Sequence, residues 1–264
     1  MPTFESKNDL REGFLRVPWL ASPDTINTGD NSTSENDEPA HLVATPSLLE
    51  NPGSPEAEAL RGLQASIMLR RAGNSQQVIQ IISAFPGEGK TTIAINLAIA
   101  LSGQSKTCLV DADLRRPAVA RSFGMSPKIG LTDVLTGTAS LEAALIQHTH
   151  LRHLSILPAG AGIADAGHLF VSGSMQAVLG ALRRQFQHVV IDTPPLIAYA
   201  DGRALASMAD GLIVIGRCGV TTREAMVQIM DLLTHINAAP IIEVVLNDVD
   251  QEPIESHYRY QMRK

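Results

Sequence analysis

Residues 86–92 read Pro86-Gly87-Glu88-Gly89-Lys90-Thr91-Thr92, and they separate an apolar run at 78–84 from a second apolar run at 93–101. The first run has the length and composition of a buried strand, and the second continues as a helix. Glycines allow a backbone to wrap closely around an anion, and a helix N-terminus directs unpaired N–H groups and its positive dipole end at that anion. The stretch therefore predicts a phosphate-binding loop and a nucleotide-binding protein.

The polar side chains of this loop have distinct expected roles. Lys90 is placed to reach the β- and γ-phosphates of ATP, and the Thr91 hydroxyl is placed to bind Mg²⁺. The spacing is that of the Walker A pattern, except that Ala84 occupies the position of the first glycine. The residues expected to contact the nucleotide here are Pro86, Gly87, Glu88, Gly89, Lys90, Thr91 and Thr92.

Two further apolar runs end in aspartate. The first, at 108–110, is followed by Asp111 and Asp113, and the second, at 189–191, is followed by Asp192. In an open parallel sheet the carboxyl ends of the strands face the ligand crevice, so these acids should meet the phosphates held by Lys90. Carboxylates beside a polyphosphate repel it unless a cation intervenes. We therefore expect Thr91, Asp111, Asp113 and Asp192 to surround Mg²⁺.

The order of apolar segments predicts an α/β domain. The chain has 264 residues, 44% of them hydrophobic, which is enough for one sizeable core. Strand-like runs alternate with helical stretches, so we expect a three-layer P-loop NTPase fold with a mainly parallel sheet flanked by helices on both faces. Strands are predicted at 78–84, 107–111, 154–157, 188–192, 211–216 and 241–246, and helices at 55–71, 91–102, 140–147, 174–186, 201–208 and 222–235.

The N-terminal region differs in composition from the rest. Residues 1–40 contain eight acidic and three basic residues and so carry most of the net charge of −6. A tract rich in Asn, Ser, Thr and acids buries too little apolar surface to order itself, so residues 1–50 are predicted to form a flexible acidic tail. Within it, residues 14–20 either form a short docking element or pack on the body. The P-loop nucleotide-binding domain is then expected at 51–250, followed by a C-terminal tail at 251–264.

The charge and hydropathy patterns exclude several classes of protein. An acidic chain without a basic stripe does not favour nucleic acid as a ligand. No run reaches the ~18 consecutive apolar residues of a membrane span, and the N-terminus does not resemble a secretory signal. The two cysteines, Cys108 and Cys218, lie in strand-like runs and indicate a reducing compartment. We expect a cytoplasmic protein that a partner recruits to the inner face of the membrane.

The three motifs together resemble the Walker A, A′ and B set of the bacterial protein-tyrosine kinases (BY-kinases), P-loop proteins that regulate the export and polymerisation of capsular and exopolysaccharides. The resemblance extends through most of residues 54–250 and includes the segments at 130–135, 157–160 and 221–225. The segment at 244–249 closes the domain, and its Asn247 resembles the family's adenine-side asparagine. The resemblance implies an ATP-dependent protein-tyrosine autokinase of the polysaccharide co-polymerase type.

Roles for the acids and arginine of the site follow the chemistry of phosphoryl transfer. Positioning and charge neutralisation dominate its loose transition state, so proton removal from the tyrosine hydroxyl is late. Lys90 and Mg²⁺ are expected to neutralise charge, Thr91 and Asp192 to hold the metal, and Asp111 and Asp113 to contact the metal and orient or deprotonate the acceptor. Either of the last two residues could be the base. Arg115 is expected to grip phosphate, the alternative being that it caps the loop.

The acceptor and the partners are implied by the resemblance. Family members end in a run of tyrosines that neighbouring subunits phosphorylate, and this chain has Tyr258 and Tyr260 in its last seven residues. Glu58 and Arg61 resemble the subunit-contact motif of a homo-oligomer, but Gln64 replaces its second arginine and cannot grip a carboxylate bidentately. A separate transmembrane activator is the expected partner.

Two alternatives to the autokinase remain. One is a non-catalytic regulator of the same machinery, in which ATP binding switches a docking surface. The other is a partition-type ATPase, but such proteins carry an extra lysine where this chain has Phe85. The segment at 165–175 also departs from the family, with Asp165-Ala166 in place of an Asn-Pro pair and His168 in place of a glutamate.

Overall fold

A single sheet forms the centre of the molecule. The computed structural model describes residues 15–16, 46–70, 77–162 and 167–249, and within these ranges the sheet has eight strands in the order β1-β8-β7-β2-β6-β3-β5-β4. The strands are β1 (Leu15–Arg16), β2 (Gln77–Ser83), β3 (Thr107–Asp111), β4 (Ile146–Gln147), β5 (Leu154–Leu157), β6 (His188–Asp192), β7 (Gly211–Arg217) and β8 (Ile241–Asn247).

Helices connect the strands and cover the sheet. None of the helices in the described ranges is both long enough and apolar enough to cross a bilayer. They are α1 (Ser47–Glu50), α2 (Pro55–Arg70), α3 (Lys90–Ser102), α4 (Val119–Ser122), α5 (Leu131–Leu135), α6 (Leu141–Ala144), α7 (Gly167–Val171), α8 (Ser174–Gln185), α9 (Asp201–Ala206) and α10 (Arg223–His235).

The strand order brings the three motifs together. Every neighbouring pair of strands is parallel except β4 and β5. Strand β2, which precedes the phosphate loop, pairs with β6, and β6 pairs with β3. Because parallel strands end at the same edge, the loops after β2, β3 and β6 lie side by side.

Alternating side chains on each strand bury the two faces of the sheet under different helices. Ile79 and Ile81 of β2 pack with α2 and α3, in a cluster that includes Leu60 and Leu97. Val78, from the other face of β2, packs in a cluster formed mainly with α5 to α9. A strand buried on both sides reads as a nearly continuous apolar run, which is the pattern at 78–82 apart from Gln80, whose buried amide donates to Gly202 O at 2.8 Å. The expected three-layer arrangement is thus confirmed.

Helix α2 has the start signals of its sequence. Pro55 is its first residue, where the missing N–H costs nothing, and the Ser54 hydroxyl accepts a hydrogen bond from the backbone N–H of Ala57 at 3.1 Å. Leu60, Leu63 and Ile67 are buried at helical spacing. The periodicity therefore locates both the helix and its buried face.

The predicted strands agree with the structure to within one residue, but one predicted helix is wrong in part. The helix expected at 140–147 ends at Ala144, and Ile146 and Gln147 form β4, antiparallel to β5. Leu145 is extended, and Gln147 pairs with Ser155. Pairing with a neighbouring strand, which local spacing does not reveal, overrides the helical pattern here.

The structure places two elements within the predicted N-terminal tail. Leu15 and Arg16 lie parallel to Val245 and Leu246 of β8. Helix α1 is joined to the body by a hydrogen bond from Leu48 N to Asn96 Oδ1 of α3, at 3.0 Å. Three other parts of the chain that carried predictions lie outside the described residues. They are the rest of residues 1–45, the segment 163–166 with Asp165 and Ala166, and the tail with Tyr258 and Tyr260.

Gly130 should be intolerant of a side chain. A Cβ at this position would lie 2.1 Å from Gly160 N and 2.4 Å from Pro158 O, because the start of α5 packs directly on the chain leaving β5. We expect Gly130→Ala to lower the free energy of unfolding by about 1–3 kcal/mol, the usual cost of overpacking. Chemical denaturation measures this change.

Gly53→Ala is the matched control, because a Cβ there would meet nothing within 4 Å. Equal stability of the two variants would contradict the proposed contact.

Candidate functional site

The phosphate loop lies between β2 and α3, and its two glycines adopt backbone conformations that other residues rarely do. Gly87 has φ 78° and Gly89 has φ 97°, and Gly89 is the residue that precedes α3. A Cβ on Gly89 would also lie 2.2 Å from Asn247 Nδ2. The loop therefore needs glycine at position 89 both for its conformation and for its contact with β8.

The Lys90 ammonium is buried and folded back over the loop. Its Nζ donates to Ser83 Oγ at 3.0 Å and to Phe85 O at 3.4 Å. Burial lowers the pKa of Lys90, and the negative charges of Asp192, Glu88 and Asp113 oppose that effect. A bound polyphosphate would add further negative charge beside the ammonium and favour its charged form.

Asp111 and Asp192 face each other across neighbouring strands. They are paired residues in the register of β3 and β6, and both are buried. Thr91 Oγ1 donates to Asp192 Oδ2 at 2.6 Å, and the backbone N–H groups of Ala118 and Val119 donate to Asp111 Oδ2 at 3.1 and 3.0 Å. The second oxygen of each carboxylate, Oδ1, is buried without a hydrogen-bond partner among the described residues.

Burial makes the charged forms of these carboxylates unfavourable. It raises the pKa of Asp111 well above its ordinary value, and the nearby Asp192 adds to the effect. Burial also raises the pKa of Asp192 to about 7, although the Thr91 hydrogen bond and the Lys90 charge act in the opposite direction. Two adjacent buried carboxylates need a positive charge between them to remain ionised together.

This donor set fits Mg²⁺. Hard cations take oxygen ligands, and the two unpaired carboxylate oxygens and the Thr91 hydroxyl supply them. Asp113, two residues beyond Asp111, is half-buried, and its Oδ1 accepts a hydrogen bond from Arg116 N at 3.0 Å. Its negative charge affects the pKa values of Lys90, Asp111 and Asp192, so all four groups lie near one another.

Asn247 lies at the end of β8, on the other side of the phosphate loop. Its Nδ2 donates to Glu88 O at 3.2 Å. Its Oδ1 is buried and has no partner in the described part of the chain. An amide oxygen in this state is suited to accept a hydrogen bond from the exocyclic amine of adenine.

Four residues around the site escaped the sequence analysis: Ser83, Asp201, Thr221 and Arg217. Ser83 accepts the Lys90 hydrogen bond, and Asp201 pairs with Arg115. Thr221 supports the phosphate loop, because its hydroxyl donates to the buried carboxylate of Glu88, which also accepts a hydrogen bond from Phe85 N at 2.7 Å.

Arg217 completes this connection between the loop and the ends of β7 and β8. Its guanidinium pairs with Asp248 at 2.9 Å and donates to Gly87 O at 3.3 Å. Thr221 lies in the segment 221–225, which is part of the resemblance noted in the sequence. That resemblance was the one sequence signal for a role of Thr221.

Arg115 is fixed by an ion pair and an aromatic ring. Its Nε lies 2.6 Å from Asp201 Oδ2, and Asp201 is almost fully buried. Its guanidinium carbon lies 4.7 Å from the centroid of the Tyr199 ring, which is within the range of a cation–π contact. The sequence predicted a phosphate contact for Arg115, and the structure adds the two groups that determine its position.

The predicted subunit-contact residues lie on α2. Arg61 Nη1 is 2.6 Å from Glu58 Oε2, and both side chains are exposed. Gln64, at the position of the second arginine, donates to Ala100 O of α3 at 2.7 Å. An intramolecular partner for Gln64 explains how the chain accommodates the amide at this position.

Comparisons with known proteins agree with this geometry. A family model described as an AAA domain matches residues 76–244. The tyrosine-protein kinase YwqD of Bacillus subtilis (strain 168) is 34% identical over 177 residues, which cover 67% of this chain and 74% of YwqD. The succinoglycan biosynthesis transport protein ExoP of Rhizobium meliloti (strain 1021) is 32% identical, over 78% of this chain but only 27% of ExoP.

A solved structure supports the fold over nearly the whole chain. The kinase domain of the Escherichia coli tyrosine kinase ETK superposes with a TM-score of 0.78, covering 92% of each chain at 22% identity. At this identity the likeness concerns the fold, and it agrees with the mostly parallel, helix-covered sheet described above.

Metal-free protein should lose stability as the pH rises. The folded-state pKa of Asp192 is raised to about 7 by burial, above its value in the unfolded chain, so the folded state binds more protons between those two pKa values. Stability should therefore be greatest at the acidic end of this window and fall as the pH rises through about 7. Asp192→Asn should flatten this dependence, as measured by the melting temperature in a chelator across that range.

Asp231→Asn, on the exposed face of α10, is the control and should keep the wild-type slope. A wild-type slope in Asp192→Asn as well would contradict the assigned cause.

The Thr221 hydroxyl should matter for nucleotide binding. Thr221→Val leaves the buried Glu88 carboxylate without one of its donors, which costs about 1–3 kcal/mol for a buried polar group. We expect weaker ATP binding in titration calorimetry, together with a lower melting temperature.

Thr234→Val removes an exposed helical hydroxyl that donates to Met230 O and serves as the control. Unchanged ATP affinity in Thr221→Val would show that the loop does not depend on this hydrogen bond.

Proposed function

This chain belongs to the family of bacterial tyrosine-protein kinases, and from that membership we propose that it autophosphorylates tyrosine with ATP and regulates exopolysaccharide or capsule biosynthesis and export. The observation that supports the proposal most directly is the convergence of Lys90, Thr91, Asp111 and Asp192 at one edge of the sheet. A partition-type ATPase would share the fold, but Phe85 stands where its extra lysine is expected.

In the loop at 86–92 the backbone N–H groups after Pro86 bind the triphosphate, and Lys90 neutralises the charge of its β- and γ-phosphates. Asn247 binds the adenine. Thr91 and Asp192 would hold Mg²⁺, with Asp111 and Asp113 beside it. Mg²⁺, when bound, supplies the charge neutralisation that phosphoryl transfer requires.

In the transfer itself, a bond forms between the tyrosine oxygen and the γ-phosphorus as the bond from that phosphorus to the bridging oxygen breaks, and ADP leaves. The phenolic proton passes to Asp111 or Asp113. Because the transition state is loose, the main work of these residues is to orient the hydroxyl in line with the leaving oxygen. Arg115, fixed by Asp201, is placed to stabilise the charge of the transferring group.

The acceptors that we propose are Tyr258 and Tyr260, on a neighbouring copy that associates through Glu58 and Arg61 of α2. The membrane connection comes from a separate transmembrane activator that recruits this chain from the cytoplasm. ExoP, described as a transport protein, is more than three times as long as the segment it shares with this chain, which is consistent with a kinase domain that operates beside membrane components.

The activity can be tested with the purified chain, residues 1–264, and Mg-ATP. We expect wild type to gain phosphoryl groups in intact-mass spectra, and Lys90→Met to gain none because it loses the ammonium at the γ-phosphate. Tyr258→Phe/Tyr260→Phe should abolish most of the gain, whereas Tyr199→Phe, the control, should retain it.

Tight ATP binding without any phosphoryl transfer would instead favour the nucleotide-gated regulator. Release of free phosphate without labelling of protein would favour the partition-type ATPase.

A further inference from the structure

A cleft of about 490 Å³ opens beside the catalytic carboxylates. Asp111 is part of its lining, and the remainder comes from the loop and helix at 115–127 and from the chain leaving β5 at 158–160. The phosphate loop and α3 are not among the described residues that line it. The cleft therefore borders Asp111 without including the loop expected to hold the triphosphate, and so leaves room for a second ligand next to Asp111.

The lining of the cleft combines cationic and apolar side chains. Three arginines, Arg115, Arg116 and Arg121, line it, and the side chains of Arg116 and Arg121 are exposed. Pro117 and Met125 add apolar surface suited to an aromatic ring. Asp111 is the acidic residue in the lining, and it is fully buried. The accessible charge of the cleft is thus positive.

The hydrogen bonds of the acidic motif fix the position of these arginines. Asp113 Oδ1 accepts from Arg116 N, and Asp111 Oδ2 accepts from the N–H groups at the start of α4, which carries Arg121. Arg121 Nη2 donates to Pro117 O at 2.9 Å, which leaves most of its five donors for a ligand. The hydrogen bonds of Asp111 and Asp113 therefore also fix the positions of Arg116 and Arg121 relative to the proposed metal site.

We propose that this cleft binds the acceptor polypeptide and selects tyrosines flanked by acidic residues, an inference that rests on the proposed kinase activity. The phenol ring packs on the apolar wall with its hydroxyl towards Asp111, and neighbouring carboxylates pair with Arg116 and Arg121.

The sequence directly around Tyr258 and Tyr260 is a poor match for this cleft. The tail at 251–264 has two acids, Glu252 and Glu255, but both precede Tyr258 by at least three residues, and residues 256–264 contain Arg259, Arg263 and Lys264 and no acid. Like charges facing one another across an interface disfavour binding. The cleft therefore serves acidic tyrosine segments of other proteins, as a substrate class in addition to the chain's own tail.

The experiment compares synthetic peptides of equal length in which one tyrosine is flanked by glutamates, glutamines or lysines. Binding to the full-length chain is measured by fluorescence anisotropy with Mg²⁺ and a non-hydrolysable ATP analogue, and phosphorylation is measured with Mg-ATP. We expect the glutamate peptide to bind roughly tenfold more tightly than the glutamine peptide, from two charge-assisted contacts, and to have a correspondingly lower KM.

Arg116→Gln/Arg121→Gln should remove this preference. Its ATP affinity and its autophosphorylation, measured by intact mass, should stay near those of wild type. Arg152→Gln/Arg184→Gln, which removes the same charge from exposed positions outside the cleft lining, should keep the preference. An equal loss in both double variants would show that only net charge matters and would overturn the proposal. So would displacement of the peptide by millimolar orthophosphate, which would indicate a site for free anions.

The two proposals fail separately. Peptide phosphorylation without a preference for acidic neighbours overturns the cleft and leaves the kinase intact. Arginine-dependent binding of the glutamate peptide without any phosphorylation supports the cleft as a docking site and overturns the kinase.

Discussion

Two carboxylates buried side by side are the constraint on which the rest of the site depends. Asp111 and Asp192 face each other across β3 and β6, and burial raises the pKa of each. A protein rarely buries paired acids unless a cation or a hydrogen-bond network compensates them. Here Thr91, Lys90 and two backbone N–H groups compensate in part, and one oxygen of each carboxylate has no partner among the described residues. The proposed Mg²⁺ would supply the positive charge that this arrangement needs.

The phosphate loop is supported from the side opposite these acids. Glu88, in the middle of the loop, is bonded through its carboxylate to Thr221 and through its carbonyl to Asn247, and Arg217 holds Gly87. Because Asn247 is also the residue proposed to bind adenine, the proposed contacts to the base and to the phosphates belong to one connected group of residues.

Much of this could be predicted from the sequence, because the decisive signals are local. The glycines and Lys90 identify the loop. An apolar strand that ends in Asp111 or Asp192 indicates that the aspartate lies at the carboxyl edge of a parallel sheet. The remainder depends on contacts between distant residues. The pairing of Gln147 with β5, the Glu88–Thr221 bond and the Arg115–Asp201 pair join residues that no local spacing relates. The cleft at Arg116 and Arg121 is likewise completed by residues 158–160, which are distant in the sequence.

Helix α3 has thirteen residues, begins at Lys90 in the phosphate loop and ends at Ser102. Asn96 from its middle accepts from α1, and Ala100 near its end accepts from Gln64 of α2. A helix transmits displacement along its axis because its backbone hydrogen bonds resist stretching. Helix α3 therefore connects the phosphate loop directly to α2, the helix that carries Glu58 and Arg61.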